Sequence, residues 1–177
     1  MGQVYFVRHG QTIWNVENKI CGATDIALTE LGHKQAVETG KKILEQGIKA
    51  DEILYSPLIR AKDTALHIAE ITGIPARGGS TFKKNRTLEN MSLHRETEQS
   101  SGSKKQFVNC YEGGESMLHL AQRIYNLLDE VAASDKTYIL VAHNGIARVV
   151  QSYFYEMTNE EYAAFGVANC AVVRYEF

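Results

Sequence analysis

Two arginines and two histidines stand where they could share one anion. Arg8-His9-Gly10 ends the apolar run 3–7, and His143-Asn144-Gly145 ends the run 138–142. Arg60 lies one helical turn beyond Ser56-Pro57, which ends the run 52–55. Forked guanidinium groups match the oxygens of a tetrahedral oxyanion, and imidazoles and backbone amides add donors. A helix opening near Gly145 would bring its N–H groups and the positive end of its dipole to the same place. A neutral imidazole can also attack phosphorus and carry the phosphoryl group covalently, splitting one hard step into two. Arginines beside such a histidine disfavour its protonated form and keep it nucleophilic near neutral pH, whereas a bound phosphate dianion pushes the other way.

These groups meet only if the three runs are parallel strands whose carboxyl ends share one edge of a sheet. The chain between them reads that way. A polar loop, 11–27, leads to Thr29, which caps a helix carrying Ala36, Val37, Gly40, Ile43 and Leu44 in a three-four rhythm and stopping at Gly47. Ser56-Pro57 reads as a capping residue followed by a proline at the first helical position. The helix after it shows Ala61, Ala65, Ile68 and Ala69 on one face and ends at Gly73. Ser116 caps a longer helix with Leu118, Ala121, Ile124, Leu128 and Val131 facing inward. A further helix is expected over 146–155. Thr158 to Glu161 forms a capping box for a short one, and 171–177 reads as the last strand. Strands alternating with helices predict a three-layer α/β/α sandwich over a mostly parallel central sheet, as a single domain over 1–177.

Composition narrows the function classes. The 177 residues are 44% hydrophobic and 23% charged, enough for a core that needs no disulfide or metal staple. A net charge of −2 argues against a general nucleic-acid binder. The most apolar late stretch, 163–173, is too short to span a bilayer, so no membrane partner is expected. The start of the chain reads as a strand rather than a signal peptide. Cys21, Cys110 and Cys170 give neither a disulfide framework nor a zinc pattern, which favours a cytoplasmic location. His33, His67, His94 and His119 lack metal-ligand spacing and read as surface or helix-face residues.

Residues 76–114 differ from the rest, with several glycines and no long periodic segment. Between Arg77 and Lys105 there are seven Lys or Arg against three Glu, a local excess of +4 in a chain of net charge −2. Composition alone describes a solvated excursion. A functional reading makes it a lid that draws an anionic substrate toward the site.

The run Arg8-His9-Gly10-Gln11-Thr12-Ile13-Trp14-Asn15 resembles the defining motif of the histidine phosphatase superfamily, with its phosphoglycerate-mutase-like fold. Thr24-Asp25-Ile26-Ala27-Leu28-Thr29-Glu30-Leu31-Gly32, Ser56-Pro57-Leu58-Ile59-Arg60-Ala61 with Thr64-Ala65, Gly113-Gly114-Glu115-Ser116 and Val141-Ala142-His143-Asn144-Gly145 also match it, in the right order over most of the chain. The resemblance implies that His9 becomes phosphohistidine and that Arg8, Arg60 and His143 hold the phosphoryl oxygens. Gly10, Asn15, Asn144 and Gly145 would line the phosphate. Cys21-Gly22 would fall on the substrate side, where Cys21 departs from the glutamine often found. Glu89, in Arg86-Thr87-Leu88-Glu89-Asn90-Met91, would be the general acid, with Glu96 the alternative. The family needs no metal, and no cofactor is expected for this chain.

The expected function is a phosphomonoester hydrolase whose partner is a small phosphorylated metabolite. A phosphoglycerate mutase is the nearest alternative. Mutases of this family resemble one another in a longer chain and in a Glu-Arg-x-Tyr-Gly stretch, where this chain has Glu89-Asn90-Met91-Ser92-Leu93. A catalytically inactive phosphate-binding module and a phosphohistidine protein phosphatase are the remaining alternatives. The substrate's identity and the oligomeric state stay open.

Overall fold

The computed structural model describes residues 2–19, 24–78 and 116–177. Five strands, β1 (Gln3–Arg8), β2 (Glu52–Tyr55), β3 (Ala76–Gly78), β4 (Thr137–Ala142) and β5 (Val172–Glu176), form one sheet in the order β3-β2-β4-β1-β5. The pairs β3–β2, β2–β4 and β4–β1 are parallel, and β5 runs antiparallel to β1 at one edge. The six helices among the described residues are α1 (Ile13–Val16), α2 (Glu30–Glu45), α3 (Ile59–Thr72), α4 (Met117–Ala132), α5 (Asn144–Phe154) and α6 (Asn159–Ala164).

The pleat of β1 explains the three layers. Val4 and Phe6 point to one face and Tyr5 and Val7 to the other, all buried. The first pair joins Leu120, Ile124, Leu128 and Val131 of α4 and Ile146, Val149 and Val150 of α5. The second joins Ile43 of α2 and Ala61, Ala65 and Ile68 of α3. A strand buried on both faces has no polar alternation, which is why 3–7 and 138–142 read as continuous apolar runs. The predicted sandwich over a mostly parallel sheet is the observed fold.

Several local expectations change. The polar loop 11–27 contains a short helix, α1, closed by a capping box between Thr12 and Asn15. Leu44 and Leu118, expected inward, are half exposed, while Thr39 and Leu120 take the buried positions on their helices. The segment expected to start as an irregular excursion at 76 begins instead with edge strand β3, whose Ala76 to Gly78 pair with Ile53 to Tyr55. The rest of that stretch, 79–114, lies outside the described residues, as do Cys21 and Gly22. Gly73 ends α3 in the left-handed region, φ 74°, as predicted. Among the described residues no helix is long and apolar enough to cross a membrane.

One close approach fixes the site loop against α2. A Cβ on Gly10 would sit 2.5 Å from the Gly32 carbonyl oxygen, and a Cβ on Gly32 would run into the Gln11 carbonyl oxygen. Both obstacles are backbone, so neither can swing aside. Gly32→Ala gains about 1 kcal/mol of helix propensity but forces an overpacked contact that costs about 3 kcal/mol. Urea unfolding of the variant should show a net loss of stability. A gain would mean that the loop is free to move off the helix.

Candidate active site

The carboxyl ends of β1, β4 and β2 lie side by side. Arg8 is in register with Ala142, and Tyr55 with Val141. His9, His143 and Ser56 therefore leave the sheet together. The His9 backbone N–H donates to Ala142 at 3.0 Å, and the Ser56 N–H donates to Val141 at 3.1 Å. The two imidazoles stand 5.2 Å apart between centroids, with exposures of 4% for His9 and 5% for His143.

The hydrogen bond of His9 sets the state of its ring. His9 Nδ1 lies 2.7 Å from the Gly10 carbonyl oxygen. A carbonyl only accepts, so Nδ1 carries the proton, and in the neutral ring Nε2 holds the lone pair. His143 Nε2 lies 2.7 Å from Ser56 Oγ, while its Nδ1 is buried with no hydrogen-bond partner among the described residues. Buried polar atoms are normally satisfied. A phosphoryl oxygen is the kind of acceptor that would satisfy this one.

Arg60, the second residue of α3, is only 2% exposed. Its Nη1 donates to the Thr24 carbonyl at 2.8 Å. Next to Thr24, Asp25 accepts the Ile59 N–H at 2.7 Å and so caps α3 from a distant loop. The expected cap at Ser56 and helical start at Pro57 do not occur: Leu58 is the N-cap, because the Ser56 hydroxyl is engaged by His143. Thr64 links the pieces, accepting the Gly10 N–H at 3.0 Å and donating to the Arg60 carbonyl at 2.7 Å. Arg8 Nη1 donates to the Val167 carbonyl at 2.7 Å.

The helix expected from 146 begins at Asn144 with His143 as its N-cap, so its first N–H groups lie beside that imidazole. Gly145 is buried in its first turn. The Asn144 side-chain oxygen accepts the Val167 N–H at 2.8 Å, which gives this side chain a part in the neighbouring turn. Asn15 Oδ1 accepts the Thr12 N–H at 3.0 Å within α1. Arg8, His9, Gly10, Asn15, Arg60, His143, Asn144 and Gly145 thus gather at one sheet edge. Cys21, Gly22, Glu89 and Glu96 lie outside the described residues. His33 and His67, expected as separate helix-face residues, meet across α2 and α3 at 2.9 Å, Nδ1 to Nε2. Cys170, half buried, has its thiol pushed up to about 11, mainly by burial, so it is not a thiolate near neutral pH.

Sequence reasoning passed over Ser56 as a partner of His143, and passed over Thr64, Asp25 and Asn169 as supports. Ser56 was open to the rule that found His143, since it too follows a strand end. Asn169 was not, because it precedes a strand.

Burial pushes the His9 imidazole down to about 3, and Arg60 and Arg8 push the same way, against the Gly10 hydrogen bond. Burial first, then Arg60, also holds His143 well below the ordinary histidine value. Both rings are neutral at pH 7, as a nucleophile beside arginines requires. The effect on stability has a definite sign. Above the unfolded value of 6.5 neither state binds the proton; between 6.5 and about 3 the unfolded chain does and the folded one does not. Stability is lost as pH falls through that window, at about 1.4 kcal/mol per pH unit for His9, and the lowered His143 acts in the same direction. In urea titrations between pH 6 and 4, His9→Asn should flatten the slope by about one such increment. An unchanged slope would mean that His9 is protonated in the fold.

The histidine phosphatase superfamily (branch 1) model matches residues 4–177. A 2,3-bisphosphoglycerate-dependent phosphoglycerate mutase of Chelativorans sp. is 36% identical over 127 residues, 71% of this chain and 57% of the relative, so the match spans little more than half of that protein. A probable phosphoglycerate mutase of Yersinia pestis is 32% identical across 100% of this chain and 86% of its own. Among solved structures, a mycobacterial glucosyl-3-phosphoglycerate phosphatase complexed with VO3 is similar with a TM-score of 0.75 and 25% identity, covering 97% of this chain and 90% of that one. A mutant phosphoserine phosphatase of Entamoeba histolytica in complex with phosphoserine is similar with a TM-score of 0.75 and 26% identity, covering 100% and 91%.

Proposed function

The chain belongs to the histidine phosphatase superfamily (branch 1), and on that premise we propose that it is a metal-independent phosphomonoester hydrolase acting on a small phosphorylated metabolite. The supporting observation is the His9 tautomer: Nδ1–H is held by the Gly10 carbonyl, so a buried, neutral ring keeps its lone pair on Nε2. In this reading Nε2 attacks phosphorus, and the P–O ester bond breaks with its electron pair on the leaving oxygen. Glu89 protonates that oxygen, then takes a proton from the water that attacks the phosphohistidine. Phosphate leaves and neutral His9 returns. Arg8, Arg60, His143 Nδ1, Asn15 and the backbone amides of Asn144 and Gly145 hold the phosphoryl oxygens as charge shifts, while the Gly10 N–H, expected beside them, is already donated to Thr64. The cytoplasm suits this reading, since phosphate esters are charged and stay in the compartment where they are made.

The second reading, a phosphoglycerate mutase, is favoured by the names of the two relatives above. One experiment separates them: a screen of phosphorylated metabolites and an aryl phosphate in EDTA, beside a phosphoglycerate interconversion assay. Hydrolysis without bisphosphoglycerate, unaffected by EDTA, is the expected result. Efficient interconversion with negligible phosphate release would overturn the hydrolase, and loss of activity in EDTA would overturn metal independence.

A further inference from the structure

The turn between α6 and β5 grips four residues of the pocket, and the chemistry above gives its side chains no role. Because β5 is antiparallel to β1, its start lies at the edge where β1 and β4 end. The Val167 carbonyl accepts from Arg8 Nη1 at 2.7 Å, and the Val167 N–H donates to Asn144 Oδ1 at 2.8 Å. The Cys170 N–H donates to the Arg8 carbonyl at 2.9 Å. Asn169 Nδ2 lies 2.8 Å from the His9 carbonyl oxygen and 3.3 Å from Asn15 Oδ1. Both of those atoms are acceptors, so only the NH2 end of Asn169 fits there.

We infer that Asn169 is a positioning residue for phosphoryl transfer, pinning the His9 backbone and turning Asn15 so that its NH2 end is presented to the phosphate. The inference rests on the phosphate-pocket reading above. Asn15 Oδ1 is held by two donors, the Thr12 N–H at 3.0 Å and Asn169. Rotating the Asn15 amide would give up both bonds and aim an oxygen at an anion. His9 is held on both sides, its N–H on Ala142 and its C=O on Asn169, so the ring sits on a backbone that cannot rock. The turn itself is strained: Cys170, not a glycine, has φ 59°. Its carbonyl accepts from Thr39 Oγ1 at 3.0 Å, and its N–H is held by Arg8. Backbone in a costly conformation persists where surrounding bonds over-determine it, and such positions gather at functional sites.

Asn169→Asp keeps the shape but sets acceptors against two acceptors. Asn15 must then turn its NH2 toward residue 169 and its oxygen toward the phosphate. Vanadate and inorganic phosphate binding by calorimetry, with kcat and KM on an aryl phosphate, would be measured at a temperature where circular dichroism shows every variant folded. Asn169→Asp should weaken phosphate binding roughly 10- to 100-fold, more than the larger truncation Asn169→Ala. In an Asn15→Ala background most of that loss should disappear, since the two residues act as a pair. Unchanged phosphate affinity in both single variants would overturn the inference. So would a loss from Asn169→Asp that persists in full without Asn15, because that is the through-space effect of a carboxylate. If no ester is hydrolysed, the phosphatase reading fails while the binding measurements still test Asn169.

Discussion

Replacing His9 by alanine should lower kcat on any phosphate ester by roughly 10,000-fold or more, while the fold and phosphate binding should remain. The His9 imidazole has its lone pair aimed by its own hydrogen bond to the Gly10 carbonyl. Arg8 and Arg60 are permanently protonated, and the Ser56 hydroxyl is fully buried and turned to His143 Nε2 at 2.7 Å. Without His9 the reaction must wait for water to attack a bound dianion directly. The side chain makes one local bond, to Gly10, and the strand around it is anchored through its backbone to Ala142 and Asn169. The variant should therefore fold, and phosphate titration should show a pocket that still binds. Quenching a single turnover of labelled substrate in alkaline detergent should trap an acid-labile, base-stable phosphoprotein in the wild type and none in the variant. Full turnover by His9→Ala would sink the covalent mechanism.

Replacing Arg60 by methionine should cost roughly 1,000-fold in kcat/KM, the scale expected when a buried charged donor to a transition state is lost. Arg60 has almost no contact with water, so its field is weakly screened at the two imidazoles. It depresses both, after burial itself, which ranks first for His9 and for His143. The methionine variant should therefore move the acid limb of the kcat/KM profile to higher pH, because an imidazole relieved of a neighbouring cation protonates more readily. Arg60→Lys should restore the position of that limb better than it restores the rate. Lysine returns the charge but not the planar fork, which in Arg60 also reaches the Thr24 carbonyl. A methionine variant with wild-type kcat/KM would remove Arg60 from the site.

These two residues also mark how far the chain could be read without its fold. Two apolar runs ending in a histidine, and a third followed one turn later by an arginine, were enough to expect one edge carrying Arg8, His9, Arg60 and His143. The reason is local: a doubly buried strand cannot alternate, and parallel strands end together. The layers, the caps at Thr29, Ser116 and Thr158 and the stop at Gly73 follow from equally local chemistry. Errors fell where an outside partner overrode a local preference. Ser56 had the side chain of a cap and was taken by His143, 87 positions away, leaving the cap of α3 to Asp25. Leu118 fitted a helical rhythm but lost its buried place to Leu120, because the rotation of α4 on the sheet is a packing outcome.

The sequence by itself determined that Arg8, His9, Arg60 and His143 meet at one sheet edge, because reactive side chains and strand ends are written in residue types and short spacings. Only the tertiary structure decided how those groups are held: the protonated nitrogen of His9, the partner of His143, the orientation of Asn15. The first depends on where one carbonyl turns. The last depends on β5 running antiparallel, which brings Asn169, at the start of a strand, to the edge where the others end. Strand direction is a property of the assembled sheet and leaves no periodicity in the chain to read.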